Sequence, residues 1–227
     1  MRPQTLTPLI LAVDTTHADG SLALARGGDL IEEVALESAS GFAHVIYGHL
    51  EKLLSRHRIA VGDVDCFAAA SGPGAFTGVR VCLACVKGLA EAAGKPAVAV
   101  SNLAAIASFG TAPLRAAVLD ARRGEVYGAV YDAGGRIVCP ETVQAPGLWL
   151  ETLPEGVELV SPDFAAFADA LAASRFRMAR RTTAPRALSG AIARIAGRRW
   201  LAGEVSDPAA LDANYVRRSD AELLWKG

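Results

Sequence analysis

The stretch LILAVDTTHADGSLALARGGDLIEEVAL, residues 9–36, contains three apolar segments separated by turn residues. Residues 8–13 are apolar without interruption, as expected of a strand buried on both faces. Residues 21–25 predict a second strand, and the Gly27-Gly28 pair permits a tight turn because glycine adopts positive φ at little cost. Residues 30–36 predict the returning strand. The stretch therefore predicts a three-strand meander whose first strand ends at Asp14.

The same pattern recurs over residues 114–138, with an apolar segment that ends at Asp120, a β-rich segment and a second Gly-Gly pair at 134–135. The aspartate and the first glycine of the pair are 13 residues apart in the first copy and 14 in the second. Two copies predict a duplicated meander-and-helix unit rather than a solenoid, which needs more repeats. The small Gly- and Pro-containing stretch Gly110 to Pro113 is the expected boundary between the halves.

Composition restricts the class of protein. The 227 residues are 52% hydrophobic with a mean hydropathy of +0.27, which argues against disorder. A formal net charge of -1 gives no whole-molecule attraction to nucleic acid or membrane. The sequence shows no export signal and no run of the roughly 20 apolar residues that span a bilayer, so we expect a cytoplasmic protein. Cys82 and Cys85 form a CxxC inside an apolar helical run, where two small core residues are a better interpretation than a zinc or redox pair.

Two helices are predicted after the first meander. Ser40 can cap the first, which carries Phe42, Ile46, Leu50 and Leu54 at helical spacing. The second begins at residue 77 or 78 and ends near residue 94, and its charged residues 80, 87 and 91 form one narrow stripe. The rest of this helix is apolar or small, so it must be covered nearly all round. Its cover is either the neighbouring helix of the same chain or, in addition, the helices of a partner subunit.

A glycine-rich segment, SGPGAFTGVR at 71–80, precedes the second helix. Glycines before a helix N-terminus let backbone N–H groups approach an anion, but the segment is neither GxxxxGK[ST] nor GxGxxG. Phosphate contact and a tight strand-to-helix connection both explain it. The residues that would bind a nucleotide are Asp14, Thr15, Gly72, Gly74 and Thr77.

No catalytic or metal-binding set is predicted. His44 and His49 are five residues apart, so on a helix they point to different faces and cannot hold a metal as an i, i+4 pair would. Asp14 ends a buried strand without an obvious partner base or lysine, and Ser71 lacks a nucleophile elbow.

Five segments of this sequence resemble the TsaB (YeaZ) family: AVDTT at 12–16, SGPGAFTGVR at 71–80, KGLAEAAGKPAVAVSNLAAIA at 87–107, LDARRGEVYGAVYD at 119–132 and YVRRSDAEL at 215–223. The resemblance implies an α/β fold of duplicated ribonuclease H-like units, as in the actin/Hsp70/sugar-kinase superfamily. It implies a first subdomain over residues 1–110, joined by 206–227, and a smaller second subdomain over 111–205. The glycine-containing turn usual in the family is replaced here by Ser161-Pro162-Asp163.

The resemblance also implies a function, which is to bind the paralogue TsaD in the assembly that forms threonylcarbamoyladenosine on tRNA beside the anticodon, with the ATPase TsaE. TsaD holds its metal with an H-x-x-x-H set, and the matching positions here are Asn102 and Ile106. Isoleucine cannot coordinate a metal, so we expect a non-catalytic scaffold with no tightly bound cofactor, any ATP or ADP lying at the interface of the complex. The expected partner-binding residues, which would also hold a homodimer of the isolated chain, are His44, Tyr47, Glu51, Gly78, Val81, Cys85 and Gly88.

Two alternatives stay open on the sequence. Eight arginines and no acidic residue lie between Arg175 and Arg199, which favours either contact with the tRNA backbone or a solvated helical face. The chain could also be a small-molecule kinase or ATPase that uses Asp14 and the Gly72–Gly78 loop.

Overall fold

The computed structural model describes residues 7–38 and 41–217. Within these ranges the chain divides into two compact units. The first unit is bounded as Met1–Asn102 and Ala187–Ala213, and the second as Leu103–Arg186 and Asn214–Gly227. The predicted helix cap Ser40 and the end of the family-like segment 215–223 lie outside the described residues. No helix in the described ranges has both the length and the apolar character needed to cross a membrane.

The first unit is built on a five-stranded mixed sheet of order β3-β2-β1-β4-β5. Its strands are β1 (Leu9–Asp14), β2 (Gly20–Arg26), β3 (Asp29–Leu36), β4 (Cys66–Ala70) and β5 (Ala97–Val100). β1, β2 and β3 pair antiparallel, whereas β4 and β5 continue the sheet in parallel with β1. Every residue of the central strands β1 and β4 is buried, in agreement with their uninterrupted apolar sequences. The predicted meander is confirmed.

Two helices connect the parallel strands of this sheet. A short 3-10 turn, Phe42–His44, leads into α1 (Ile46–Arg56), and α2 (Phe76–Ala93) follows β4. Gly94 ends α2 in the left-handed conformation, at φ 61°, where a side chain would be strained. Both helices are where the periodicity predicts them.

The second unit repeats the first. Its elements are α3 (Asn102–Ala107), which begins at the junction of the two units, then β6 (Leu114–Arg122), β7 (Glu125–Asp132), β8 (Ile137–Gln144), α4 (Pro146–Thr152), β9 (Glu158–Ser161), α5 (Ala168–Ala173) and β10 (Arg181–Thr183). The sheet order β10-β9-β6-β7-β8 corresponds, strand for strand, to that of the first sheet. The duplicated α/β architecture expected from the repeat is confirmed.

The core of the second unit is built around Trp149 of α4, whose side chain is 1% exposed. Trp149 packs against β7 at Gly128, where a Cβ atom would lie well inside 3.0 Å of the indole ring. Phe167, Leu171 and Phe176 complete the same cluster. Gly128 is therefore required by close packing.

The division into units differs from the expected one because of a last helix, α6 (Ser189–Leu201). We expected residues 111–205 to form one subdomain, but α6 packs on the first sheet, against β1, β2 and β4. The Glu33 side chain of β3 accepts a hydrogen bond from the Gly190 N–H at 2.7 Å and so caps the helix. At Gly197 a Cβ atom would be 2.6 Å from the carbonyl oxygen of Gly27, so only glycine allows this approach.

Candidate functional site

Asp14 lies at the carboxyl end of β1 and is fully buried. Its Oδ1 accepts hydrogen bonds from the N–H of Thr16 at 2.8 Å and from the hydroxyl of Thr16 at 2.6 Å. Its Oδ2 is buried and has no hydrogen-bond partner among the described residues. A magnesium-bound nucleotide could reach this carboxylate only if the surrounding loops moved.

The Asn102 side chain stabilises the Asp14–Thr16 turn by hydrogen bonds instead of acting as a metal ligand. Its side-chain amide donates to Thr16 Oγ1 at 2.7 Å, and its Oδ1 accepts from the N–H of Gly72 at 3.0 Å. The Asn102 N–H in turn donates to the Gly72 carbonyl at 2.8 Å. Both Asn102 and Ile106 are fully buried. The two positions at which the resemblance predicts no metal ligand thus hold one amide committed to internal hydrogen bonds and one alkyl group.

The glycine-rich segment packs directly on the Asp14–Thr16 turn. A Cβ atom at Gly74 would lie 2.6 Å from the Thr16 carbonyl oxygen, and one at Gly78 would lie well inside 3.0 Å of the Thr15 carbonyl oxygen. The Thr15 hydroxyl donates to the Gly78 carbonyl at 2.7 Å, and the Ala75 N–H donates to the Thr16 carbonyl, also at 2.7 Å. These contacts favour the tight strand-to-helix connection, because the loop backbone lies against the turn and the N–H groups of Gly72 and Ala75 are already used within the chain.

The five proposed nucleotide-binding residues therefore differ in access. Asp14, Thr15 and Gly72 are buried, Gly74 is partly buried, and Thr77 is exposed at the start of α2. The geometry does not favour the kinase-like alternative, since the carboxylate that would hold the metal is enclosed.

The cysteines of α2 face the interior of the first unit. Cys82 Sγ donates to the Val13 carbonyl at 3.0 Å, and burial raises its pKa well above the usual value. Burial also raises the pKa of Cys85 to about 11 and that of Cys66 to about 12. Thiols with such pKa values remain protonated at neutral pH, so they act as small apolar side chains. Across residues 7–38 and 41–217, no three His, Cys, Asp or Glu side chains converge as a metal site would require.

The proposed partner-binding residues differ in exposure to solvent: four are exposed, two are partly buried, and Cys85 is buried. His44, Tyr47, Glu51 and Gly88 are exposed, and the exposed fraction of Tyr47 is 58%. Gly78 and Val81 are partly buried, and the contact of Gly78 with Thr15 gives it a packing role.

The assignment of Cys85 to the surface is wrong, since the residue is only 2% exposed. Cys85 lies against Tyr47, and the negative charge that Cys85 carries when it ionises at high pH, together with partial burial, raises the pKa of the Tyr47 hydroxyl. Helical spacing alone placed Cys85 with Val81 and Gly88, although it lies on the inner side of the helix.

The outward side of α2 carries a row of small or apolar residues, which we call the α2 row. It consists of Thr77, Val81, Ala84, Gly88 and Ala92, and all of these except the half-buried Val81 are exposed. Sequence analysis missed Ala84, although it lies three positions from Val81 and four from Gly88.

Charged neighbours border the α2 row on one side. Arg80 stacks over the Phe76 ring at 3.7 Å, and Lys87 Nζ donates to the Ala209 carbonyl at 3.2 Å. The 3-10 turn Pro208–Ala210 thus packs against α2 beside the charged stripe, whereas the α2 row remains open. The helix is therefore covered by its own chain on only part of its circumference.

A groove of about 290 Å³ adjoins this face on the side of α1. Its walls are mainly apolar, with Tyr47 and Glu51 among the residues that line it; the others are Leu11, Leu50, Leu54, Ser55, Ile59, Ala60, Val61 and Leu89. An apolar groove between exposed helices is a surface on which another protein can insert side chains.

Known proteins are similar to this chain in sequence and in fold. A family model described as "TsaD: tRNA N6-adenosine threonylcarbamoyltransferase" matches residues 36–180. The tRNA threonylcarbamoyladenosine biosynthesis protein TsaB of Bacillus subtilis is 32% identical over 151 residues, which cover 64% of this chain and 66% of that protein. The TsaB protein of Escherichia coli is 33% identical over 127 residues, 54% of each chain. The solved structure of YeaZ from Pseudomonas aeruginosa is 27% identical, with a TM-score of 0.72 over 92% of this chain and 99% of that one. The chain belongs to the TsaB (YeaZ) family.

The coverage of the TsaB sequences is partial. The chain spans between about half and two thirds of the length of the curated TsaB relatives that it matches. The match of the family model ends at residue 180, before α6, yet the TsaB-like fold extends over 92% of the chain. The similarity in fold to YeaZ therefore accounts for the duplicated sheets.

Proposed function

We propose that this chain acts in the biosynthesis of threonylcarbamoyladenosine on tRNA, as a non-catalytic subunit that binds a TsaD-type transferase through α1 and α2. The observation that carries the proposal is the open α2 row beside the exposed Tyr47. The names of the TsaB relatives support the pathway, and the shared family model supports a paralogous partner with a similar fold.

Small side chains on α2 favour a helix as the partner element. Helices pack with axes 8–10 Å apart, and the shorter distances need small residues at the crossing point. Gly88 and Ala84 provide such a point, and no atom lies within 4 Å of the position that a Gly88 Cβ would occupy. Tyr47 would act as the aromatic anchor of the interface, with His44 and Glu51 at its polar rim.

The absence of transfer chemistry in this subunit rests on the Asp14 turn. Asp14 is enclosed, Asn102 is hydrogen-bonded to Gly72 and Thr16, and Ile106 offers no ligand atom. In the proposed division of labour the TsaD-type partner performs the transfer, a TsaE-type ATPase completes the assembly, and ATP or ADP binds at the interface of the complex. The isolated chain would pair with a second copy of itself through the same α1–α2 face.

A charge placed in the α2 row tests the proposal. Gly88→Arg adds a long cationic side chain at an exposed helical position, so the monomer should keep its fold while the partner helix can no longer approach. We expect co-purification with the TsaD-type partner, and formation of modified tRNA by the mixture, to be lost.

The matched control is Gly147→Arg, which adds the same side chain at an exposed glycine of α4, where no atom lies within 4 Å of a Cβ. It should leave the complex intact. A Gly88→Arg chain that is folded, as judged by circular dichroism, and still binds the partner normally would refute the proposed interface.

A further inference from the structure

The arginine-rich segment does not form one helical face. Of its eight arginines, Arg175 to Arg186 belong to the second unit and Arg194 to Arg199 lie on or at the end of α6 in the first. The first group lies in a turn, in β10 and in the connection to α6, so a solvated helical face does not describe it. These five arginines therefore all lie in the second unit.

Residues 174–179 form a turn that is anchored by Phe176, which is 6% exposed and packs in the core of the second unit. The N–H of Arg177 donates to the Ser174 carbonyl at 3.2 Å, and the N–H of Ala179 donates to the Phe176 carbonyl at 2.9 Å. Arg175 donates to the Leu153 carbonyl at 2.6 Å. The turn is thus held by the core and by its own hydrogen bonds, so its arginines extend from a rigid base.

The turn lies at the amino edge of the second sheet. β10 begins at Arg181 and runs parallel to β9, which itself runs parallel to β6, so the starts of these strands share one edge. Met178, 87% exposed, lies at the tip of the turn. Arg136, in the turn after β7, belongs to the same edge because the end of β7 pairs with the start of β6.

Acidic residues of this edge neutralise only some of the arginines. Asp132 pairs with Arg136 at 2.8 Å, and the buried Glu158 pairs with Arg180 at 3.2 Å. The exposed Glu151 and Glu155 form no ion pair in the described structure.

Arg175, Arg177 and Arg181 have no carboxylate within ion-pair distance among the described residues. Arg175 and Arg181 instead donate to backbone carbonyls, of Leu153 at 2.6 Å and of Arg177 at 2.7 Å, so among the described residues the positive charge of these three arginines is not neutralised by an ion pair.

We infer that this edge, which we call the arginine turn and define as residues 174–181, binds backbone phosphates of the tRNA substrate. Guanidinium groups match phosphate geometry in a bidentate manner, and a rigid base reduces the entropy lost on binding. The exposed Met178 supplies an apolar surface on which a ribose or base can pack. The inference rests on the proposed function for the identity of the RNA, and it assigns to this chain a direct contact with tRNA.

The test uses the complex of this chain with the TsaD-type partner and an unmodified tRNA transcript. The variant Arg177→Glu/Arg181→Glu reverses two charges and spares Arg175, which donates to the Leu153 carbonyl. It also removes the hydrogen bond from Arg181 to the Arg177 carbonyl, so circular dichroism first checks that the variant keeps its fold. We expect tRNA affinity near 0.1 M salt to fall at least tenfold, and the salt dependence of binding to lose a slope of roughly 1.4 to 1.8, equivalent to two phosphates. Co-purification with the partner should be unchanged.

The control Arg26→Glu/Arg198→Glu makes the same change in net charge at two exposed arginines of the first unit. It should reduce affinity far less. Equal losses in both variants would mean that only net charge matters, and unchanged affinity in the first variant would mean that the turn makes no contact; either result overturns the inference.

Loss of partner binding by the first variant would also overturn it, because the turn would then belong to the protein interface. If the wild-type chain binds no TsaD-type partner, the proposed function fails, and the same variants compared for tRNA binding by the chain alone still decide the inference.

Discussion

Asp14 and Asp120 occupy corresponding places in the two units, since each lies near the carboxyl end of the first strand of its meander. Each makes the same local hydrogen bond, in which Oδ1 accepts from the N–H two residues on, at 2.8 Å for Asp14 and 2.7 Å for Asp120. Their surroundings differ. The Asp14 side chain is fully buried and its Oδ2 is unpartnered among the described residues, whereas the Asp120 side chain is 34% exposed and pairs with Arg122 at 3.4 Å.

The difference arises from the connection that leaves the parallel strand beside each meander. After β4, Gly74 and Gly78 let the backbone of the loop and of the 18-residue α2 press onto the Asp14–Thr16 turn. After β9, the corresponding connection is Ser161-Pro162-Asp163, and the six-residue α5 replaces the long helix. Two units of the same topology therefore differ at the carboxyl end of the first strand of the meander, and topology alone does not determine function.

The largest expected effect comes from Gly78→Ala. The added methyl group would collide with the Thr15 backbone, which cannot move as a flexible side chain would, so we expect a loss of about 3 kcal/mol in the free energy of unfolding. The control is Gly88→Ala on the same helix, where the space is open and the higher helix propensity of alanine should add about 0.5–1 kcal/mol. Urea unfolding of both variants measures the difference. Similar stabilities would mean that α2 does not lie against the turn in solution.

Gly128→Ala makes the matching test in the second unit. The methyl group would meet the buried Trp149 indole, a side chain that can shift slightly, so we expect a smaller cost of about 2 kcal/mol. Hydrogen exchange followed by mass spectrometry should show faster exchange in β7 and α4, with Gly147→Ala as the silent control. Acceleration confined to the first unit would contradict the assignment of Gly128 to its own core.

The pattern of strands and helices was predictable because it depends on local apolar periodicity, which the residues from Leu9 to Leu36 show clearly. The assignment of Cys85 to the surface failed because residues one helical turn apart can straddle the edge of a buried face. The packing of α6 on the first sheet was also missed, since it depends on the contact of Gly197 with Gly27, 170 residues away. The hydrogen bond from Asn102 to Thr16 could not be predicted from the sequence, because only the folded chain brings these two residues together.

Acid sensitivity distinguishes the units further through Glu158. Burial raises the pKa of this carboxyl, but the Ala112 N–H, the Thr182 hydroxyl, the Thr111 N–H and the Arg180 charge together lower it below its usual value. A lowered pKa means that Glu158 stabilises the second unit above the unfolded-state pKa of about 4.3 and that this stabilisation is lost as the pH falls through the folded-state value.

Glu158→Gln should cost about 1–2 kcal/mol near pH 7, because the amide presents an NH2 group to backbone donors, and should flatten the loss of stability below about pH 4. Urea unfolding between pH 7 and pH 3 measures both effects. Glu32→Gln, which removes an exposed ion pair with Arg56 in the first unit, should change stability by at most about 1 kcal/mol. A full acid transition in the Glu158 variant would show that another carboxyl controls acid unfolding.

The smallest effect is expected from Asp14→Asn, and it bears most directly on function. The asparagine oxygen can accept the same two hydrogen bonds from Thr16, so the change in unfolding free energy should stay within about 1 kcal/mol. A kinase-like enzyme would need the Asp14 carboxylate for its metal, whereas a scaffold would not. Titration calorimetry with magnesium-ATP should therefore give the same weak or undetectable heats for both proteins, and the Asp14→Asn chain should still bind the TsaD-type partner. Micromolar ATP binding that disappears with the carboxylate would mean that the glycine loop opens in solution, and it would restore the enzyme hypothesis that the closed turn disfavours.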